Sequence, residues 1–313
     1  MKHPYFFACL LFFCSSFSQD LVHQKDIIYG KAPNWKDQME DLRLDLIYPS
    51  KTKKLPLIVY MHGGTFLNGS KKNLTKFCEQ IAKKGFVVAN LEYRQGFDMS
   101  PEKFQSAIAQ AAYRAQQDEA AALRWLVHHE ANYPIDTSWI FIGGESAGGV
   151  TSLELAYATQ NELDLIFPSI HSILGAIDRS GNELNDQYRI KGVINQWGGI
   201  ADTLLISQQE MQTIPVILFH SVNDQVIPYE RSSHPEARFQ TVCGSLDIAH
   251  RFKNNHARYN LYFIKGAKHG YGFSPNYLTD AISDFIENVQ KEKCKSNEIE
   301  NEKGDVNKGI WDY

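Results

Sequence analysis

Apolar and polar residues alternate over positions 42–48, the period-two pattern of a half-buried edge strand, whereas positions 57–61 form an unbroken apolar run suited to a strand covered on both faces. Phe77 and Ile81 recur at helical spacing among lysines, and Gly85 ends that helix before a second apolar strand at 86–91. A long helical pattern over 106–131 carries Ile108, Ala111, Ala112, Leu123, Leu126 and Val127 inward, and Pro134-Ile135-Asp136 closes it. Further strands are predicted at 140–142, 193–197, 216–220 and 261–264, and further helices at 150–159 and 278–290. Strands alternating with helices predict an α/β fold, a mostly parallel sheet with helices on both faces. Residues 291–313, rich in Lys, Glu and Asn, read as a mobile tail in which only Ile310 and Trp311 argue for docking. No internal repeat interrupts this organisation.

Length and composition narrow the picture. A chain of 313 residues, 43% hydrophobic and 22% charged, suits one large domain over 19–290. The net charge of -4, with both signs interleaved, offers no basic stripe for a phosphate backbone, so nucleic acid is not an expected partner. Residues 1–18 combine a short basic start, an apolar run too short to span a bilayer, and small residues at Ser16 and Ser18. This is the pattern of a signal peptide cut near Ser18, and it predicts a secreted or periplasmic protein. A lipoprotein acylated at Cys14 is the alternative, and bulky Phe13 speaks against it. No later run reaches the roughly eighteen apolar residues of a membrane span. Cys78, Cys243 and Cys294 remain after the leader, an odd and widely spaced set that indicates neither a disulfide framework nor a zinc cluster. Cys78 reads as a small core residue, and a Cys243–Cys294 pair is open without support from the spacing.

The candidate chemistry centres on Gly144-Glu145-Ser146-Ala147-Gly148, a G-x-S-x-G match between a predicted strand and a predicted helix. The letters alone arise by chance in roughly a tenth of chains this long, so the strand-turn-helix context carries the argument. A serine hydroxyl is a poor nucleophile near neutral pH, and it needs a base whose tautomer is fixed by an acid. Asp224 follows the strand ending at His220, and His269 follows the strand ending at Ile264, so both fall at strand ends in the order Ser, Asp, His. Glu230 is the next acid, but it lies beyond Pro228; His220, His234, His250 and His256 precede the last strand and read as core or surface histidines. The oxyanion of such a reaction requires backbone donors, and His62-Gly63-Gly64-Thr65 ends the first buried strand where those N–H groups are unobstructed. Ala147, opening the elbow helix, supplies the other arm.

With those residues in view, the stretch from Leu42 to Gln290 resembles the carboxylesterase and hormone-sensitive-lipase-like branch of the α/β-hydrolases. The resemblance rests on His62-Gly63-Gly64, Glu92-Tyr93-Arg94, Ile135-Asp136, Gly144 to Gly149, Asp224, and Gly266 to Gly270. It implies ester hydrolysis through Ser146, Asp224 and His269, oxyanion donors at Gly63, Gly64 and Ala147, a small-molecule ester as substrate, and no metal or organic cofactor. Thr65 departs from the family's third glycine and narrows the room there. The N-terminal region is shorter than a large helical cap requires, and polar Ser180-Gly181-Asn182-Glu183 is either pocket rim or plain surface loop. A peptidase using the same triad and a noncatalytic binding module on the same scaffold are the competing readings. Oligomeric state has no signature in the sequence.

Overall fold

The computed structural model describes residues 20–50, 53–231 and 242–312, so the expected leader at 1–18 and His234 lie outside the described residues. Among the described residues nine strands form one sheet: β1 (Leu21–Pro33), β2 (Met39–Pro49), β3 (Leu55–Met61), β4 (Val87–Leu91), β5 (Ile135–Glu145), β6 (Ile190–Gln196), β7 (Val216–Ser221), β8 (Tyr259–Ile264) and β9 (Asn297–Glu300). Their spatial order is β1-β2-β4-β3-β5-β6-β7-β8-β9. The β1–β2 and β2–β4 pairs are antiparallel and all others are parallel. The helices are α1 (Lys71–Ala82), α2 (Phe104–His128), α3 (Ala147–Tyr157), α4 (Gln160–Ile166), α5 (Ile170–Leu174), α6 (Gln208–Thr213), α7 (Ser245–Asn254) and α8 (Pro275–Gln290).

The unbroken apolar run of β3 is explained by burial on both faces. Leu57, Val59 and Met61 pack with Leu123 and Leu153 of α2 and α3, while Ile58 and Tyr60 pack with Cys78 of α1 and Ile282 of α8. Parallel strands joined by such crossovers bring β3, β5, β7 and β8 to the same sheet end with their C-termini, where the loops carrying Gly63, Ser146, Asp224 and His269 meet.

Several expectations change. The helix at 106–131 ends at His128, and Pro134 precedes β5, whose first residues Ile135 and Asp136 pair with Leu55 and Pro56. The charged segment after Gln290 is no loose tail: β9 adds a ninth, parallel strand to β8, and Cys294 and Ile310 are buried. The backbone of Lys308 accepts from Gly272 N–H at 3.0 Å, and Tyr271 pairs with Gly309. At this sheet edge Lys253 of α7 and Lys265, just after β8, form exposed ion pairs with Glu298 and Glu300 of β9, and charged residues on an edge strand discourage further pairing. Cys78, Cys243 and Cys294 are buried free thiols, so Cys243 and Cys294 do not pair. Among the described residues no helix is long and apolar enough to cross a membrane.

Candidate active site

Ser146 sits between β5 and α3 with φ 50° and ψ -117°, a backbone state that L-residues rarely hold. A Cβ at Gly144 would lie 2.5 Å from the Met61 carbonyl oxygen, and one at Gly148 would lie 2.4 Å from the same atom. The flanking glycines are therefore required for β3 and α3 to close around the turn. Ser146 N–H donates to Gln196 O at 2.8 Å, which ties the turn to the end of β6.

The structure brings the three separated residues together. His269 Nε2 lies 2.9 Å from Ser146 Oγ, and His269 Nδ1 lies 2.6 Å from Asp224 Oδ2. Asp224, and not Glu230, meets the imidazole. Its Oδ1 accepts from Val226 N–H at 2.8 Å and Ile227 N–H at 3.1 Å. Burial opposes the charge of Asp224, but the adjacent His220 and His269 rings outweigh it and hold the carboxyl well below the usual range. The Asp and His loops are also tied to each other, through Ser221 Oγ–H to Ala267 O and Gly266 N–H to Asn223 Oδ1. His250 and His256 are exposed, and His220 is buried against Asp224.

The loop after β3 differs from expectation in one donor. Gly63 N–H is directed at Glu145 Oε1, 3.2 Å away, and so is engaged within the chain. Glu145 is buried, and burial raises its carboxyl to about 7 despite that bond. Gly64 lies on the same loop, and Ala147 is the first residue of α3, where an N–H has no intrahelical acceptor. Thr65 follows with φ 59°, a strained left-handed state for a β-branched residue. The loop is held from behind by His62, whose Nε2 lies 2.9 Å from Glu92 Oε1 and whose ring stacks on Tyr93 at 4.5 Å. Burial pushes the Glu92 carboxyl up, but His62, Ser70 and Lys71 N–H hold it below its ordinary value.

Beside Ser146 opens a cavity of about 260 Å³ between α2, α3 and the short helices α4 and α5. Ala112, Val150, Leu163, Ile166 and Ile170 make it largely apolar. Gln116 and Glu154 bridge α2 and α3 at its wall, with Gln116 Nε2 donating to Glu154 Oε2 at 2.7 Å. Burial raises the Glu154 carboxyl to about 7. The polar stretch 180–183 does not line this cavity: Asn182 Nδ2 donates to Tyr29 O and Ala121 O, and Arg124 donates to Ser180 O, so it anchors the α4–α5 insertion to the body of the molecule.

A family model, BD-FAE, matches residues 44–213, more than half of the chain. The chain belongs to the BD-FAE family. This BD-FAE chain is 31% identical over 139 residues to Gut esterase 1 of Caenorhabditis elegans, covering 43% of the chain and 24% of that protein. It is 28% identical over 181 residues to the chloroplastic Tuliposide A-converting enzyme 2 of Tulipa gesneriana, covering 54% and 44% respectively. The chain thus spans less than half the length of either relative. A truncated form of a carbohydrate esterase from gut microbiota superposes with a TM-score of 0.60 at 18% identity, over 86% of this chain and 96% of that one. The fold is that of the α/β-hydrolases.

Three features of this site have no signature in local sequence that singles them out: the Glu145–Gly63 bond, the His220–Asp224 contact and the Gln116–Glu154 wall. For His220 a weak signal existed, since it stands one residue before the end of β7 and four before the acid. For the other two, nothing in local pattern distinguishes a site carboxyl from a solvated one.

Proposed function

We propose that this chain is a serine carboxylic-ester hydrolase acting through an acyl-enzyme on esters of compact apolar acids. The observation that carries the reading is the continuous hydrogen-bond chain Asp224–His269–Ser146 at the edge of an apolar cavity. His269 Nε2 takes the Ser146 hydroxyl proton as Oγ attacks the ester carbon, and Asp224 stabilises the imidazolium that forms. The backbone N–H groups of Gly64 and Ala147 face the oxyanion, the latter with the favourable dipole of the α3 N-terminus. His269 then gives the proton to the leaving alkoxide, the acyl group stays on Ser146, and a water deprotonated by the same imidazole releases the acid. The cavity volume supports a compact acyl group, and its apolar wall disfavours charged ones.

Ser146→Ala is expected to lower hydrolysis of a short p-nitrophenyl ester by on the order of 10⁴-fold or more, and the wild-type protein is expected to form a fluorophosphonate adduct at Ser146. Retained activity in the variant would remove the assignment. Cleavage of an arylamide as fast as the matching ester would instead favour a peptidase, and a folded protein that takes no adduct would favour a binding module.

A further inference from the structure

We propose that His220 is a positioning residue of the site: it holds the Asp224 carboxylate for His269, and Ser245 sets its tautomer. The inference rests on the esterase reading for its kinetic consequence, although its geometry stands apart from it.

His220 lies near the C-terminal end of β7 and is fully buried. Its Nε2 carries a hydrogen directed at Ile227 O, 3.0 Å away, and lies 3.3 Å from Asp224 Oδ2, while the N–H of the same Ile227 donates to Asp224 Oδ1 at 3.1 Å. Its Nδ1 lies 2.8 Å from Ser245 Oγ. Ser245 Oγ in turn accepts from Asn195 Nδ2 at 3.3 Å, which leaves the serine hydrogen free to point at Nδ1. The orientation of the Asn195 amide is set by Gly198, whose N–H donates to Oδ1 at 3.1 Å and whose carbonyl accepts from Nδ2 at 3.3 Å. The links run from Asn195 to Ser245, from Ser245 to His220, and from His220 to the carbonyl of Ile227 with the Asp224 carboxylate beside the same N–H; Asp224 in turn faces His269, and His269 faces Ser146.

The need for such a link is electrostatic. Asp224 Oδ2 must receive the His269 Nδ1–H at 2.6 Å in a fully buried site, where a carboxylate with too few donors is destabilised. Oδ1 has two backbone donors, whereas on the Oδ2 side the polar hydrogen nearest the carboxylate besides that of His269 is the one on His220 Nε2, 3.3 Å away. Asp224 is the charged group facing the His220 ring; Tyr229 packs edge-on at 5.8 Å, and burial pushes its hydroxyl up and keeps it neutral. An aliphatic side chain would fill the same space and leave Oδ2 held by His269 alone.

The test compares the full-length wild type with His220→Leu, His220→Gln and Ser245→Ala, reading kcat and KM on a short ester, thermal unfolding, and the low-field proton resonance of the His269 Nδ1–H. His220→Leu is expected to lower kcat by about tenfold to a hundredfold, the worth of one hydrogen bond to a charged group, with KM little changed. It is also expected to shift the low-field resonance. Glutamine can place an N–H where Nε2–H stands, so His220→Gln is expected to recover most of both losses, and Ser245→Ala to show a smaller loss of kcat in the same direction. Equal deficits in His220→Leu and His220→Gln, or an unchanged kcat and resonance in Ser245→Ala, would overturn the proposal. If His220→Leu does not fold, the other two variants still decide. If the wild type cleaves no ester, the esterase reading fails, while the resonance alone decides whether His220 positions Asp224.

Discussion

Ser146 holds a backbone state, φ 50° and ψ -117°, that the glycines around it make accessible. Because a Cβ at position 148 would meet the Met61 carbonyl at 2.4 Å, Gly148→Ala must move either β3 or the start of α3. We expect a stability loss of about 1–3 kcal/mol, as for overpacked cores, together with reduced kcat; thermal unfolding and an ester assay measure the two. This requirement was legible in the sequence, since glycines flanking a serine at a strand-to-helix turn have a steric reason to be there. The use of Gly63 was not. Its N–H meets Glu145, a residue 82 positions away, and no local pattern reports which of two adjacent N–H groups turns toward a carboxylate.

The elements that position the site differ in how plainly the sequence announces them. β3 and β5 to β8 are apolar runs because both sheet faces are covered, and α2 has enough turns for its inward stripe to repeat. α4 and α5, of seven and five residues, are too short for any period to emerge, yet Leu163, Ile166 and Ile170 from this insertion roof the cavity. Ile170 is 5% exposed, so Ile170→Ala is expected to cost about 2–3 kcal/mol and to deepen the cavity. The preferred acyl chain in a p-nitrophenyl ester series should then lengthen. An unchanged preference would place the acyl group elsewhere.

At the scale of the whole molecule, the segment after Gln290 completes both the sheet and the His269 loop. Asn301 Nδ2 donates to Gly272 O at 2.9 Å, and Gly272 N–H donates to Lys308 O at 3.0 Å, just beyond His269 in sequence. Truncation after Gln290 is expected to lower Tm by at least roughly 5 °C and to reduce kcat, although it removes no member of the triad. Buried carboxyls set a second global property. Burial raises Glu145 and Glu154 to about 7 and Glu119 to about 8, against an ordinary value of 4.5. Between those values the native state binds more protons than the unfolded chain, so their contribution is fully present below 4.5 and is lost as pH rises to about 7–8. Thermal unfolding across that window is expected to show Tm falling with pH, and Glu119→Gln, which keeps an acceptor for Ser152 Oγ, to flatten the fall. By itself the sequence determined the alternation of strands and helices, the elbow at Ser146 and the order of Ser, Asp and His, because hydrophobic period and turn chemistry act over a few residues. Only the tertiary structure decided that Gly63 N–H turns to Glu145, that His220 lies against Asp224, that Gln116 and Glu154 wall the cavity, and that a charged terminal segment docks as β9. Those outcomes depend on distances between groups far apart along the chain, and such distances exist only once the sheet has formed.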